Sequence, residues 1–184
     1  DFEPTDSFRV LASSFVVPAE SGTLPIETYT FPAADPGLIS KLISPYRSIT
    51  EKANRSPALL LTFYISRQYK PSMLEECKPI RKQVVSINLS NMPVEDNAIK
   101  EIAQFENLEM LQLNGTKISG ANLGLLQSCT KLKRLSLANT KVKADQIDFL
   151  GKMPSLEKVF LWQTNVTPAE INTLKKKYPR ITWD

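Results

Sequence analysis

Histidine, the side chain whose ordinary pKa lies nearest neutral pH, is absent from this 184-residue chain. No glycine-rich phosphate-binding loop occurs either. Neighbouring carboxylates occur as Glu95 with Asp96 and as Asp145 with Asp148, each pair at the start of a helical pattern. Acidic residues there stabilise the exposed amides of a first turn, which gives both pairs a structural reason. We expect no catalytic residue, metal site or cofactor and predict that the protein is not an enzyme; a carboxylate hydrolase is the remaining catalytic alternative.

Cys77 and Cys129 are the two cysteines, and their separation matches no metal-binding or redox motif. They lie two units apart in the repeating pattern described below, so strand stacking would separate them by roughly 10 Å. This distance exceeds the reach of a disulfide. Cys129 shares its column with Phe105 and Met153, which predicts a buried apolar side chain. We therefore expect two free thiols.

Binding chemistry is offered by aromatic and basic residues near the C-terminus. Phe160 and Trp162 are two residues apart, so both side chains leave the same face of a strand. Arg134 and Lys158 fall alongside them in the repeating pattern. An exposed aromatic pair rimmed by cations is typical of a protein contact site. The alternative is that a following domain or the N-terminal arm of the same chain covers these rings.

The elements that must position these residues repeat every 24 residues from Val84 to the C-terminus, without an insertion. Three apolar columns of the repeat are Val84, Leu108, Leu132, Leu156; Ile87, Leu111, Leu135, Val159; and Leu89, Leu113, Leu137, Leu161. Their alternation predicts a short strand, and a later spacing of three and four predicts one buried stripe of a short helix. One such unit cannot bury its own apolar face, so neighbouring units must stack.

Stacking predicts an α/β fold: a right-handed solenoid of about four and a half repeats, with parallel strands on the concave face and short helices on the convex face. Thr116, Thr140 and Thr164 form a polar column at the corner after each strand. We expect each hydroxyl to bond to the backbone of its turn, because an unpartnered polar group there would be costly. Thr167 with Glu170 forms the clearest helix start, a capping box followed by helix to about residue 177.

The N-terminal part departs from the repeat. Residues 1–57 are predicted to form an extended arm, a short helix capped by Asp35 and a hairpin, which together cap a solenoid of residues 58–184. Counting back 24 residues from the first clear strand places Leu60, Phe63 and Ile65 in the apolar columns. The helical segment that follows is out of step, as expected of a degenerate first repeat at the end of a stack.

Three rows of outward-facing side chains line the predicted concave face. In strand order they are Thr62, Ser86, Met110, Arg134, Lys158; Tyr64, Asn88, Gln112, Ser136, Phe160; and Ser66, Ser90, Asn114, Ala138, Trp162. Most of these side chains are small and polar, so the large ones stand out. The predicted interface consists of Phe160, Trp162, Arg134, Lys158, Tyr64 and Met110.

The net charge of +4 is unevenly spread. Residues 131–184 contain 11 lysines and arginines against 5 acidic residues, whereas residues 1–130 contain 12 against 14. This excess could attract an anionic polymer, although a solvated convex face explains it as well. The Lys175–Lys177 run ends a predicted helix, where cations are favoured. We expect no nucleic-acid partner, and no apolar run in the sequence is long enough to cross a bilayer.

The segments 108–118 (LEMLQLNGTKI), 132–142 (LKRLSLANTKV) and 156–167 (LEKVFLWQTNVT) resemble bacterial leucine-rich repeats. The phrases FPAAD at 31–35 and LWQT at 161–164 are similar to the repeat region of membrane-anchored c-type cytochrome-domain proteins of Bacteroidetes. This resemblance covers about residues 31–184 and implies a periplasmic or cell-surface module. Haem is not carried over to any residue, because neither a CxxCH motif nor a histidine is present.

These observations favour a non-catalytic protein-interaction or scaffolding module of an extracytoplasmic bacterial protein. Its partner would be another protein or a neighbouring domain of the same chain. One alternative is an accessory domain that positions a haem or redox domain in a longer chain, and another is a binder of an anionic polymer. Any membrane anchor would lie in segments beyond this sequence.

Overall fold

A computed structural model describes residues 29–184, and most of the predicted arm, residues 1–28, lies outside this range. The described residues form a seven-stranded sheet whose strands follow one another in chain order. The strands are β1 Arg47–Glu51, β2 Leu59–Phe63, β3 Val84–Asn88, β4 Met110–Gln112, β5 Arg134–Ser136, β6 Lys158–Phe160 and β7 Thr182–Trp183. β1 pairs with β2 antiparallel, and each later neighbouring pair is parallel. This order confirms a stacked α/β solenoid.

The segments between the strands contain short helices. The α-helices are α1 Pro36–Leu42, α2 Ser72–Glu75, α3 Ile99–Ile102 and α4 Pro168–Lys177. The 3-10 helices are Ser66–Gln68, Lys78–Ile80, Asp96–Ala98, Leu123–Ser128, Ala144–Gln146 and Asp148–Lys152. The connections from β4 to β5 and from β5 to β6 contain only 3-10 helices, the tighter geometry that is common in short connectors, whereas the other three parallel connections include an α-helix. None of the helices within residues 29–184 has the length and apolar composition needed to span a membrane.

The strands and helices enclose one continuous apolar core. The central inward position of strands β3 to β6 is fully buried. It is occupied by Ile87, Leu111, Leu135 and Val159, each with no exposed area. Cross-strand pairing places these four side chains beside one another in successive repeats. Burial of each such side chain contributes about 1.5–3 kcal/mol to folding, so the repeated column supplies much of the stability.

The threonine column at the strand corners is bonded as predicted. The hydroxyls of Thr116, Thr140 and Thr164 donate to the carbonyl oxygens of Leu113, Leu137 and Leu161, at 2.7, 2.6 and 2.7 Å. Thr116 and Thr140 are buried. Each hydroxyl therefore has a hydrogen-bond partner, so the inward polar column carries little desolvation cost.

A second corner column has left-handed backbone geometry. Asn91, Gly115, Asn139 and Gln163 have φ of 61°, 63°, 54° and 55° at the same position of successive repeats. Glycine and asparagine tolerate this region, whereas glutamine does so at a cost. The turn therefore demands one backbone state in every repeat, although the side chain varies.

The register of β2 corrects the predicted alignment of the first repeat. Leu61, not Phe63, lies beside Ile87, and an irregularity between Leu59 and Leu60 shifts the pairing. Of the three predicted inward residues only Phe63 is buried: Leu60 lies beside Ser86 on the other face of the sheet, and Ile65 is 55% exposed, because the 24-residue count does not extend across this shift. As a result Thr62 lies beside Asn88 rather than Ser86.

Two predicted helix starts and the predicted thiols are confirmed. The Asp35 carboxylate accepts hydrogen bonds from the amides of Gly37 and Leu38 at 2.6 and 3.2 Å. At α4, Thr167 and Glu170 form the reciprocal capping box. Cys77 and Cys129 are free and buried, and burial raises the pKa of each thiol to about 11.

Candidate functional site

The sheet has an open face, the face turned away from the core, and strand pairing arranges its side chains in rows. One row is Leu60, Ser86, Met110, Arg134, Lys158 and Thr182. The next is Thr62, Asn88, Gln112, Ser136 and Phe160. Apart from the shift in β2, these are the predicted concave rows. Parallel strands about 4.8 Å apart hold such rows in fixed order, so the open face is a rigid platform.

Two adjoining hollows occupy this platform. The larger, of about 590 Å³, lies over β2 to β5, with Leu60, Val85 and Met110 among its apolar lining. The smaller, of about 320 Å³, extends towards Phe160. Both hollows are lined by Met110, Gln112 and Arg134. Together they form a groove along the open face that is large enough for a peptide segment or a protein loop.

A charged cluster borders the larger hollow where the parallel strands begin. The Glu109 carboxylate accepts from Lys52 Nζ at 3.0 Å and lies 3.7 Å from Lys133 Nζ. The Tyr29 hydroxyl accepts from Lys52 at 2.6 Å and donates to Glu109 at 3.4 Å. The Glu109 side chain is 15% exposed, so its charge is shielded from water and depends on these partners.

Arg134 supplies the exposed cation in the middle of the groove. It lies between Met110 and Lys158 in the sheet and lines both hollows. Within residues 29–184 it forms no salt bridge. Its guanidinium, with five donors in a planar fork, is suited to a carboxylate or phosphate brought by a ligand.

The predicted aromatic and basic group forms on β6. Lys158 Nζ lies 4.7 Å from the centroid of the Phe160 ring and 2.7 Å from the Asp184 carboxylate. Trp162 follows two residues later, and its side chain is 69% exposed. Arg134 lies on the adjacent strand beside Lys158. The structure therefore brings Arg134, Lys158 and Phe160 together.

Tyr64 belongs to a different row from the one predicted. Thr62, not Tyr64, lies beside Asn88, so Tyr64 is two residues beyond the position predicted for it. Four strand spacings, about 19 Å, separate it from Trp162. Its hydroxyl lies 3.0 Å from Ser48 Oγ, and 47% of the side chain is exposed. Tyr64 thus lies at the opposite end of the open face from the other aromatic residues.

The charged cluster was not predicted from the sequence, although part of its signal was present. Glu109, Lys133 and Glu157 occupy the same position of successive repeats, just before each strand, and alternate in charge. Backbone bonds run from Lys133 to Glu109 and from Glu157 to Lys133 at 2.8 Å, which keeps the column in register. Lys52 has no such signal, because it follows β1, outside the repeat.

The residues that line the groove include apolar, amide and charged side chains suited to contact with a ligand. Residues 29–184 contain no cluster of His, Cys, Asp and Glu that could hold a metal ion. Neither cysteine lines the groove, and the raised pKa of both thiols keeps them protonated near neutral pH. The groove presents apolar side chains and an arginine, and the exposed Trp162 follows the lining residue Phe160 by two positions.

No family model and no curated protein matches this chain. Several solved structures are similar to it. A chain of the Drosophila melanogaster SNF/U2A′ complex aligns with a TM-score of 0.50 and 17% identity over 82% of both chains. The fold is that of a leucine-rich-repeat protein.

Two further leucine-rich-repeat structures are similar. The ectodomain of the receptor kinase SOBIR1 from Arabidopsis thaliana aligns with a TM-score of 0.45 and 15% identity, covering 83% of this chain and 93% of that one. The internalin InlF of Listeria monocytogenes aligns with a TM-score of 0.47 and 19% identity over 60% of this chain. The matched part of this chain spans 30% of the internalin's length.

Proposed function

We propose that this leucine-rich-repeat chain is a non-catalytic module that binds a protein, or a neighbouring domain, through the open face of its sheet. The observation that carries the proposal is Trp162, a residue that is 69% exposed on a folded scaffold. Tryptophan is enriched at the energetic centres of protein interfaces because it buries a large rigid surface with one hydrogen-bond donor. Burial of this ring by a partner would supply affinity at little conformational cost.

The surroundings of Trp162 indicate the chemistry of the partner. Phe160 and Met110 offer apolar contact, and both line the smaller hollow. Arg134 offers a guanidinium that no carboxylate of residues 29–184 engages within salt-bridge distance. A partner that inserts an apolar side chain near Phe160 and brings a carboxylate to Arg134 would fit this surface.

The proposed setting is an extracytoplasmic bacterial protein, periplasmic or at the cell surface. Its support is the resemblance of segments 108–118, 132–142 and 156–167 to bacterial leucine-rich repeats. In the same proposal the solenoid is right-handed, and α1 with β1 caps its first end. A nucleic acid is not the expected partner, since two carboxylates, Glu109 and Glu157, line the larger hollow.

Photo-cross-linking in the native cell tests the proposal, because it captures a partner whose identity is not specified in advance. The chain would carry p-benzoylphenylalanine at position 162 or, as a matched control, at Leu125, which is 47% exposed in the 3-10 helix Leu123–Ser128. We expect a discrete adduct of higher mass from position 162 and none from position 125. Arg134→Glu should reduce the yield at position 162 several-fold. Equal yields at both positions, or no adduct at position 162, would contradict the proposal.

An anionic polymer is the second candidate ligand, favoured by the charge excess of residues 131–184 and by Arg134. It differs from a protein partner in its salt response, because polyanion binding releases counterions and weakens steeply as salt rises. Titration of the purified chain with heparin at 50 and 200 mM salt measures this. A loss of affinity of tenfold or more would favour the polymer, and absence of binding would exclude it.

A role in positioning a haem domain predicts instead that the adduct at position 162 maps to a haem-bearing part of the same polypeptide.

A further inference from the structure

We propose that the end of the solenoid at which β1 begins and β2 ends is a docking surface for an anionic lipid bilayer. This surface, the hairpin corner, combines three exposed apolar residues with three exposed cations: Ile43, Tyr64, Ile65, Lys41, Arg67 and Lys70. None of the six lines the groove that carries the proposed function. The docking of a bilayer here is therefore independent of a protein partner at the groove.

Ile65 is exposed in a backbone conformation that isoleucine rarely adopts. Its φ of 56° lies in the left-handed region, which is unfavourable for a β-branched residue. Ile65 precedes Asn91 by the same number of residues as Thr62 precedes its pairing partner Asn88, so it is the first member of the left-handed corner column. The later members are asparagine, glycine and glutamine, whereas this one is apolar and about half exposed. Packing within residues 29–184 does not compensate its strain, which points to a contact outside the chain.

Two further exposed apolar residues lie at the same end of the sheet. Tyr64 directly precedes Ile65, and its amide donates to the Tyr46 carbonyl at 2.8 Å. Tyr46 belongs to the turn 44–47 that leads into β1, and Ile43 directly precedes this turn. Five large apolar residues are exposed in the part of the chain that the structure describes, and the hairpin corner holds three of them. Apolar exposure is thus concentrated at this end of the solenoid.

The charges of the hairpin corner have one sign. Residues 36–50 and 60–74, which include its three apolar residues, contain four cations and no acidic residue. One of the four, Arg47, is buried and pairs with Glu76 at 3.0 Å. The other three are exposed and form no salt bridge within residues 29–184; they are Lys41, Arg67 and Lys70. This excess of unpaired positive charge favours an anionic partner.

An open hollow of about 310 Å³ beside Ile65 offers a place for a phosphate group. Arg67 and Lys117 line it from two different repeats. Lys117 has the Glu95 carboxylate at 3.6 Å, so Arg67 supplies the cation that is free of a salt bridge. A guanidinium binds phosphate oxygens through two parallel hydrogen bonds, and an apolar residue beside it can contact the chain that carries the phosphate.

A bilayer surface satisfies both parts of the hairpin corner at once. It presents phosphates to the cations and, directly beneath them, an apolar layer in which Ile43 and Ile65 can be buried. Tyrosine is enriched at this level of a membrane because its ring is apolar and its hydroxyl is polar. A soluble polyanion would engage the cations but leave the apolar residues in water. The contact is peripheral, at the depth of the headgroups.

Co-sedimentation of the purified chain with lipid vesicles tests the proposal. Vesicles of phosphatidylcholine alone would be compared with vesicles in which about one-third of the lipid is phosphatidylglycerol. We expect binding to the anionic vesicles at 50 mM salt, several-fold weaker binding to the neutral vesicles, and weaker binding at 200 mM salt because the charges are screened. Absence of binding to the anionic vesicles, or equal binding to both kinds, would overturn the proposal.

Two substitutions separate the apolar contribution from the electrostatic one. Ile65→Asn removes the apolar side chain but suits the left-handed backbone, so it should keep or raise Tm while it lowers vesicle binding several-fold. Arg67→Glu should also lower binding several-fold. The matched controls Leu125→Asn and Lys100→Glu, at exposed residues of the helical segments, should leave binding unchanged. Binding that Arg67→Glu weakens and Ile65→Asn does not would indicate a polyanion contact and overturn the bilayer proposal, as would equal losses in the controls.

A fluorophore at position 65 locates the contact directly. Cys77 and Cys129 are buried, so nitrobenzoxadiazole would label Ile65→Cys or, as the control, Leu125→Cys selectively. We expect a blue shift and stronger emission on anionic vesicles from position 65 and no change from position 125. An unchanged spectrum at position 65, or equal changes at both positions, would contradict the proposal. The tests of the proposed function use positions 134 and 162, so neither set of results determines the other.

Discussion

Lys133 and Glu109 occupy the same position in neighbouring repeats, and their charged groups lie 3.7 Å apart at the rim of the groove. The same carboxylate holds Lys52 at 3.0 Å. This contact connects the repeating part of the chain with the region before it, since Lys52 directly follows β1. The rim of the groove is therefore held by side chains from three distant segments of sequence.

Replacement of this carboxylate should cost stability. Glu109→Gln keeps the shape of the side chain but removes the charge that Lys52 and Lys133 share, and we expect a loss of about 1 kcal/mol in the free energy of unfolding. Urea denaturation followed by circular dichroism measures it. The control is Glu95→Gln, because Glu95 pairs with Lys117 at 3.6 Å with both side chains more than 60% exposed. Equal losses in the free energy of unfolding for the two substitutions would show that the Glu109 cluster stabilises the fold no more than an exposed ion pair does.

The threonine column predicts a loss of stability on removal of a single hydroxyl. Thr140→Val is nearly isosteric, but it leaves the buried Leu137 carbonyl without its 2.6 Å donor. We expect a loss of about 1–2 kcal/mol in the free energy of unfolding. Thr173→Val is the control, since its hydroxyl bonds to a helix carbonyl that water can also reach. A neutral Thr140→Val would contradict the role assigned to the column.

The left-handed column predicts opposite effects at two equivalent positions. Gln163→Gly removes a side chain from φ of 55° and should raise the free energy of unfolding by about 0.5–1 kcal/mol. Gly115→Ala should lower it, because the φ of 63° is unfavourable for alanine and the new Cβ would collide with the Asn91 side chain. Thermal unfolding of both variants checks the pair. The same sign for both would contradict the assigned backbone conformation.

The two cysteines predict a thiol titration that depends on folding. Burial raises the pKa of Cys77 and Cys129 to about 11, so at pH 8 the reactive thiolate is scarce in the native protein. We expect no reaction with Ellman's reagent within minutes at pH 8 and two thiols after addition of guanidinium. Ser136→Cys, on the open face, supplies a third thiol that reacts in the native state. Rapid reaction of the unmodified native protein would contradict the burial of the two cysteines.

The repeat made most of the fold predictable, because a 24-residue period specifies both the buried columns and the parallel order of the strands. Leu111 and Leu135 are adjacent in the sheet, as their columns indicate. The period could not reveal the irregularity between Leu59 and Leu60, because Thr62 and Phe63 keep their sides of the sheet in either register and only the pairing shows that Leu60 lies on the other face. Residues outside the repeat, such as Lys52, gave no periodic signal at all.

The part of the candidate site that lies in the repeating strands was also predictable, because the 24-residue period determines which side chains share a face of the sheet. Arg134, Lys158 and Phe160 lie in the repeating strands, so their common face followed from spacing. Tyr64 precedes the regular repeats, and its row was wrong by two residues for that reason. The left-handed column was not foreseen, since glycine, asparagine and glutamine share no side-chain property that identifies it.

Radical footprinting of Trp162 tests the central claim, that the open face is a binding surface, most directly. Hydroxyl-radical oxidation of this residue would be compared between the purified chain and the chain in extract of its own cells, with the fully buried Trp183 and the exposed Leu125 as references. We predict strong oxidation of Trp162 in the purified chain and several-fold protection in extract, with Leu125 oxidised equally in both. Equal oxidation of Trp162 in the two samples would contradict the claim.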